Sequence, residues 1–204
     1  LFQTVDRFYK NLPDDIRPET SWKSGTRMRF PELDSYIYID SAKSDSIGIG
    51  HTLSRCHASE IAKWPHSKAR SLFADLSQTV PLTGIFTIES TPKGRQGLFH
   101  ELYQAGKTGD IPYKVFFFPW WWDITCVTDN KEFLEPRYIE KVAAKLNIST
   151  NELLSQETYL RESAKFTDAQ LIFRRFKIME LGEIFFQEYP ENDVDCWLSG
   201  EMNV

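Results

Sequence analysis

The strongest constraint on this chain is the order of three segments: strand, amphipathic helix, strand. Gly48-Ile49-Gly50 leads into a short strand that ends at Glu60. Pro65 then precedes a helical stripe of Ala69, Leu72, Phe73, Leu76 and Val80, whose spacing puts one apolar face against a sheet. Pro81 to Gly84 makes a turn, and Ile85-Phe86-Thr87-Ile88 is a short apolar run of the kind buried in parallel sheets. A helix between two such strands predicts an α/β fold, because parallel neighbours need a long crossover.

The flanking segments extend this pattern. Leu1, Val5, Phe8 and Leu12 fall at helical spacing before Pro13. Met28 and Phe30 alternate with Arg27 and Arg29, and Tyr36-Ile37-Tyr38-Ile39 is β-rich, so both read as strands. Gly97 to Ala105 reads as a helix and Tyr113 to Phe118 as a further strand. Beyond Asp129 the pattern is helical throughout. Ile139, Val142, Ala143 and Leu146 form one stripe, while Ser149-x-x-Glu152 and Thr167-x-x-Gln170 have the form of capping boxes, the last helix stopping at Gly182. The expected division is an α/β part over 1-130 and a helical part over 131-204.

At 204 residues, 41% of them apolar, the chain can bury one sizeable core. No apolar run approaches the roughly 18 residues of a membrane span, and the first residues lack the regions of a signal peptide, so a cytoplasmic setting without membrane contact is expected. Cys56, Cys126 and Cys196 are odd in number and far apart, which predicts reduced thiols rather than a disulfide framework or zinc ribbon. A net charge of -5 disfavours a wholly basic binding surface, but local patches remain open. The best clusters are Arg161 with Lys165, and Arg174-Arg175 with Lys177; each reads either as a basic patch or as the solvated face of a helix.

Three segments carry possible chemistry. A carboxylate at a buried strand tip can act as the base that activates a water for phosphoryl transfer, with a hydroxyl or second acid near Mg²⁺. Glu60 with Ser59 meets that description, although a Glu after an apolar strand, taken by itself, more often caps the following helix. Ser90-Thr91-Pro92-Lys93-Gly94 offers two hydroxyls at the next strand end, or simply a turn fixed by Pro92 and Gly94. Phe116 to Trp122 is dense in aromatic area, suited to core packing or, if exposed, to binding. A zinc site from His51, Cys56 and His57 lacks a sensible fourth ligand. A Ser59/His57 dyad lacks the G-x-S-x-G elbow.

Taken in order, His57-x-Ser59-Glu60-x-Ala62-x-Trp64, Ser90-Thr91-Pro92-Lys93-Gly94 and Phe117-Phe118-Pro119-Trp120-Trp121-Trp122-Asp123 resemble the large subunit of tailed-phage terminases, the motor ATPase that drives DNA into a procapsid. Leu171-x-x-Arg174-Arg175, Phe186-Gln187-Glu188-Tyr189-Pro190 and Ser199-Gly200 extend the likeness. The resemblance implies a P-loop NTPase domain of the ASCE type with a mainly parallel sheet, followed by a helical lid or linker leading toward a nuclease domain. It implies Glu60 as the Walker B base and Ser59 as a weak Mg²⁺ ligand. Ser90 and Thr91 would be coupling residues at the γ-phosphate of ATP. Double-stranded DNA, a portal protein, a small terminase subunit and sister copies are the implied partners, in a bacterial host cytoplasm.

The chain departs from that family at several points. G-x-x-x-x-G-K-[ST], the Walker A loop, does not occur between Leu1 and Val204. Lys93 stands where Asn is commoner. Ile49 stands where relatives often carry an arginine finger, with Arg55 as the nearest substitute. Two expectations follow: a piece of a working motor ATPase, inactive without its phosphate loop, or a catalytically dead prophage remnant serving as an interaction or DNA-binding module.

Overall fold

The computed structural model describes residues 2–48 and 50–198, so Leu1, Ile49, Ser199 and Gly200 lie outside the described residues. The fold is α/β, and the chain divides into two compact units: Leu1–Ala58 with Trp64–Thr87, and Ser59–Lys63 with Ile88–Val204. Along the chain the change of unit falls at 58/59, 63/64 and 87/88.

In the first unit, α1 (Phe2–Lys10) stops before Pro13. Its inward residues are Phe2, Val5, Asp6 and Tyr9 rather than the expected Leu1, Val5, Phe8, Leu12 stripe; Phe8 is exposed. The Tyr9 ring lies 5.8 Å from Phe30, and its hydroxyl donates to the Pro18 carbonyl at 2.8 Å, so one aromatic residue sets the helix rotation. Below it is an antiparallel sheet of β1 (Trp22–Lys23), β2 (Arg27–Phe30) and β3 (Ser35–Tyr38). Met28 and Phe30 are buried while Arg27 and Arg29 are exposed, as period-2 alternation requires. Next, β4 (Arg55–Ser59) pairs with β5 (Ile85–Glu89) as a parallel two-stranded sheet, joined through α2 (His66–Thr79). Ala69, Leu72 and Leu76 are the buried face of α2, and Phe73 stacks on Phe86 at 5.8 Å. The expectation that Ile85 to Ile88 would be buried on both faces does not hold. Ile85 and Thr87 are exposed, because the sheet has only two strands among the described residues.

The second unit contains α3 (Leu98–Thr108), α4 (Pro136–Lys145), α5 (Thr150–Ser163), α6 (Asp168–Leu181) and the short α7 (Phe185–Glu188). Ser149 accepts from the Glu152 backbone at the start of α5, and the Thr167 and Gln170 box is complete in both directions at α6. Tyr113 to Phe118, expected as a strand, forms no regular element and pairs with no strand among the described residues. It lies on α3 instead: a Cβ on Gly106 would come within 2.7 Å of Val115 Cγ2, so the missing side chain permits the approach. The aromatic run divides in use. Trp120 is buried against Phe166, Phe173 and Phe185, whereas Phe116, Phe118 and Trp122 are exposed.

Arg174 and Arg175 correct both sequence readings of that cluster, for they are neither a patch nor a solvated face. Arg175 donates to both carboxylate oxygens of buried Glu157 and, at 2.7 Å, to the Phe133 carbonyl. Arg174, 1% exposed, makes a forked pair with Glu191 at 2.7 and 3.2 Å. A guanidinium enters a core only when carboxylates and carbonyls replace its water. Arg161, by contrast, is an exposed cation paired with Asp168 at 2.5 Å, and Lys177 is half-buried and paired with Glu180 at 2.7 Å.

The segment after α7 returns over α3. Asp193 accepts from Tyr103 at 3.0 Å and from Lys107 at 2.6 Å, and the Trp197 indole packs against Phe99, His100 and Tyr103. The three cysteines are free, and burial raises the Cys196 thiol to about 12.

Two outcomes are expected. Glu191→Gln leaves a buried guanidinium without its counter-charge and should destabilise the protein by about 3 kcal/mol in urea unfolding. The Lys107 ammonium, ahead of the Tyr103 hydroxyl, holds the Asp193 carboxyl below its ordinary value. Its stabilisation is then fully present above that ordinary value of about 4 and is lost as pH falls through the lower folded value. The melting-temperature gap between the protein and Asp193→Asn should therefore narrow only in that acid range.

Candidate active site

The ends of β4 and β5 lie side by side at the carboxyl edge of a parallel pair, the edge at which open α/β sheets bind ligands. The tip residues Ser59–Lys63 and the segment from Ile88 both belong to the second unit. After Ser59 the backbone turns sharply. Glu60 takes a φ of +53°, and its carbonyl accepts from Lys63 N at 2.8 Å to close a 3₁₀ turn over Ile61–Lys63, in which Ile61 is buried. A non-glycine residue in this region costs about 1 kcal/mol or more, and such strain clusters at functional positions.

The turn presents the Glu60 side chain, 45% exposed, to the second strand end. Ser90 Oγ donates to Glu60 Oε2 at 3.3 Å, and the same hydroxyl accepts from the Ala62 backbone N–H at 3.2 Å. A serine hydroxyl has one proton. With one of its two lone pairs taken by the Ala62 N–H, that proton is directed at the carboxylate. Lys63 Nζ adds an ion pair to the same Oε2 at 3.2 Å. Both contacts fall on one carboxylate oxygen, and Oε1 receives no hydrogen bond from the described residues.

Thr91 Oγ1 is buried and has no hydrogen-bond partner among the described residues, an unsatisfied state that normally calls for a water or ligand oxygen. Pro92 is buried, Lys93 is exposed, and Gly94 (φ +70°) and Gly97 (φ +111°) carry the chain into α3 through left-handed turns. The Arg95 Nε–H donates to the Trp197 carbonyl at 3.1 Å, tying this loop to the returning C-terminal segment.

The structure thus brings together Glu60 and Ser90 from the sequence-predicted set, with Thr91 next to Ser90 on the same strand end. Ser59 is half-buried at the end of β4. Arg55 is exposed at the start of β4, and the Ile49 position lies outside the described residues. Sequence reasoning missed Lys63 and the Ala62 N–H. Lys63 had a legible signal, an opposite charge three residues after Glu60, but this spacing brings side chains together only on a turn or helix. The available chemistry is a half-exposed carboxylate with one oxygen held and one open, flanked by hydroxyls: a proton acceptor beside oxygen donors. Among the described residues no group of three His, Cys, Asp or Glu is placed to hold a metal ion, and no helix is long and apolar enough to cross a membrane.

Comparison with protein-family models, curated proteins and solved structures finds no match.

Glu60→Gly and Glu60→Ala both remove the carboxylate, but only glycine takes the backbone angle freely. The glycine variant should be the more stable by about 1 kcal/mol in chemical unfolding; equal stabilities would show that the turn carries no strain.

Proposed function

We propose that this chain is part of a motor ATPase of the terminase large-subunit type, which couples ATP hydrolysis to the packaging of double-stranded DNA. On this reading β4, α2 and β5 are a portion of an ASCE-type P-loop domain, and the helices after it are its lid or linker. Glu60 is the general base, and Oε1 is the atom that takes the proton of the attacking water. Ser90 and Lys63 hold the other oxygen, so the carboxylate is oriented before substrate arrives. Thr91, whose buried hydroxyl lacks a partner, contacts the γ-phosphate and transmits its loss to the loop that follows.

The observation that supports this reading is the Ser90 to Glu60 hydrogen bond at 3.3 Å. Two motifs recognised separately in the sequence meet as a base and a hydroxyl at adjacent parallel strand ends. The donor set also suits the metal that nucleotides carry. Hydroxyls and one carboxylate do not cage a resident Mg²⁺, but Mg²⁺ is usually held by few protein oxygens together with substrate phosphates; here Ser59 would supply one of them. The partners proposed with this function are double-stranded DNA, a portal protein, a small subunit and sister copies, in the cytoplasm of a bacterial host.

A second reading has its own supporting observation. The sequence contains no Walker A loop, and cradle amides with a Lys are what hold the β- and γ-phosphates. On this reading the chain is a catalytically dead prophage remnant that serves as an interaction or DNA-binding module.

The 204-residue chain alone is expected to show no ATP hydrolysis above the protein-free rate. Expressed with in-frame flanking coding sequence that carries G-x-x-x-x-G-K-[ST], it should hydrolyse ATP, and Glu60→Gln should lower kcat on the order of 10²- to 10⁴-fold. Unchanged kcat in that variant would remove Glu60 as the base. Stop codons or unrelated sequence on both sides would decide for the remnant.

A further inference from the structure

The antiparallel sheet of the first unit has one face committed to packing and one left open. Residues directly opposite each other in antiparallel strands project to the same side. The register pairs Trp22 with Arg29 and Arg29 with Tyr36, which makes one row across all three strands. Arg27 opposite Tyr38 makes a second row on the same face, two residues along. Met28 and Phe30 project the other way and are buried, with Tyr9 against Phe30.

The open face alternates aromatic rings and cations. Trp22 is 52% exposed and Tyr36 45%, and both arginines are exposed. Neither guanidinium forms an ion pair with the described residues; that of Arg27 lies over the Tyr38 ring at 5.8 Å. His51 extends the platform. Its Nδ1 and the Tyr36 hydroxyl are 2.7 Å apart, and its ring is 5.6 Å from Tyr36 and 5.2 Å from Tyr38. The hydrogen bond fixes the Tyr36 ring, so its face is pre-ordered for a planar partner.

We propose that this face is a binding platform for single-stranded nucleic acid, with Trp22 and Tyr36 stacking on unpaired bases while Arg27 and Arg29 meet the phosphates. Charge complementarity selects this occupant. Unpaired cations between exposed rings match a ligand whose anionic backbone alternates with flat apolar faces, and sheets use this arrangement to read unpaired strands. A peptide strand would instead use the sheet's edge hydrogen bonds and would have no need of the arginines. Duplex DNA hides its base faces, so only the cations would engage it. The platform does not involve Glu60, so it stands or falls apart from the ATPase reading.

The test is fluorescence anisotropy of labelled oligo(dT), oligo(rU) and a blunt duplex with the full chain across a salt series. Both single strands, or one of them, should bind more tightly than the duplex, and the preferred one identifies DNA or RNA as the ligand. Trp22→Ala and Tyr36→Ala should each weaken binding on the order of tenfold, and Tyr36→Phe, which keeps the ring, should weaken it least. Arg27→Ala and Arg29→Ala should each flatten the slope of log K against log salt by about 0.7. Thermal melts of the same variants identify any loss caused by misfolding, and Arg29→Lys keeps the charge test intact in that event. No single-strand binding at low salt would overturn the proposal. So would binding that the folded aromatic variants leave unchanged, or a preference for duplex.

Discussion

A buried guanidinium is costly unless carboxylates face it, and in the second unit that requirement sets what surrounds α6, although Arg174 Nη1 is left without a hydrogen-bond partner among the described residues. Arg174 is inside the core because Glu191 is there to fork onto it. That pair fixes where the chain goes after α7. From Glu191 the segment runs to Asp193, which receives Tyr103 and Lys107 from α3, and then to Trp197, whose carbonyl accepts from Arg95. Arg95 lies in the loop that follows Ser90 and Thr91. One ion pair is therefore linked, through a strap of eight residues from Glu191 to Leu198, to the hydroxyls at the candidate active site. Arg175 performs the parallel task inside the bundle, where Glu157 on α5 and the Phe133 carbonyl are held to α6. Such pairs are weak sources of net stability, but each is costly to break, so they specify one arrangement.

The candidate site stores its constraint differently. Glu60 sits in a backbone region that favours glycine, and nothing in packing requires a carboxylate on that turn. Its immediate surroundings are instead arranged around the carboxylate: Ala62 N–H orients the Ser90 hydroxyl, which points at Oε2, and Lys63 approaches the same oxygen. The arrangement holds one carboxylate oxygen and leaves the other open on a turn of positive φ. The cap alternative fails on its own terms, since Glu60 precedes only a three-residue turn.

Much of this was legible in the sequence, for reasons that differ by segment. Apolar periodicity located α2, α4 and the Met28 and Phe30 strand because each has a single buried face, and hydroxyl chemistry located the starts of α5 and α6. The strand ends at Glu60 and Ser90 were legible as motifs. What escaped was whatever depended on a partner distant in the chain. Tyr113 to Phe118 has strand composition, but pairing needs a neighbour, and the glycine at 106 offered a helix surface instead. Ile85 to Ile88 has the texture of a doubly covered strand, yet burial is a property of the whole sheet. Lys63 is a different case, only three residues from Glu60: the two meet because the backbone turns through a positive φ that no apolar pattern encodes.

The arginines show the same limit most clearly. Arg174-Arg175 is the densest basic pair in the sequence, and the fold places both side chains in the core against carboxylates. Arg27 and Arg29 read as no more than the polar half of a strand. Antiparallel register then sets them in rows with Trp22, Tyr36 and Tyr38, brought together from three strands. On this sheet, unpaired positive charge is set among aromatic rings by pairing geometry rather than by clustering along the sequence. A cation counts toward recognition of an anionic partner only if the fold has left it without a carboxylate, and in the first unit the sheet register does this while burying the apolar residues between them.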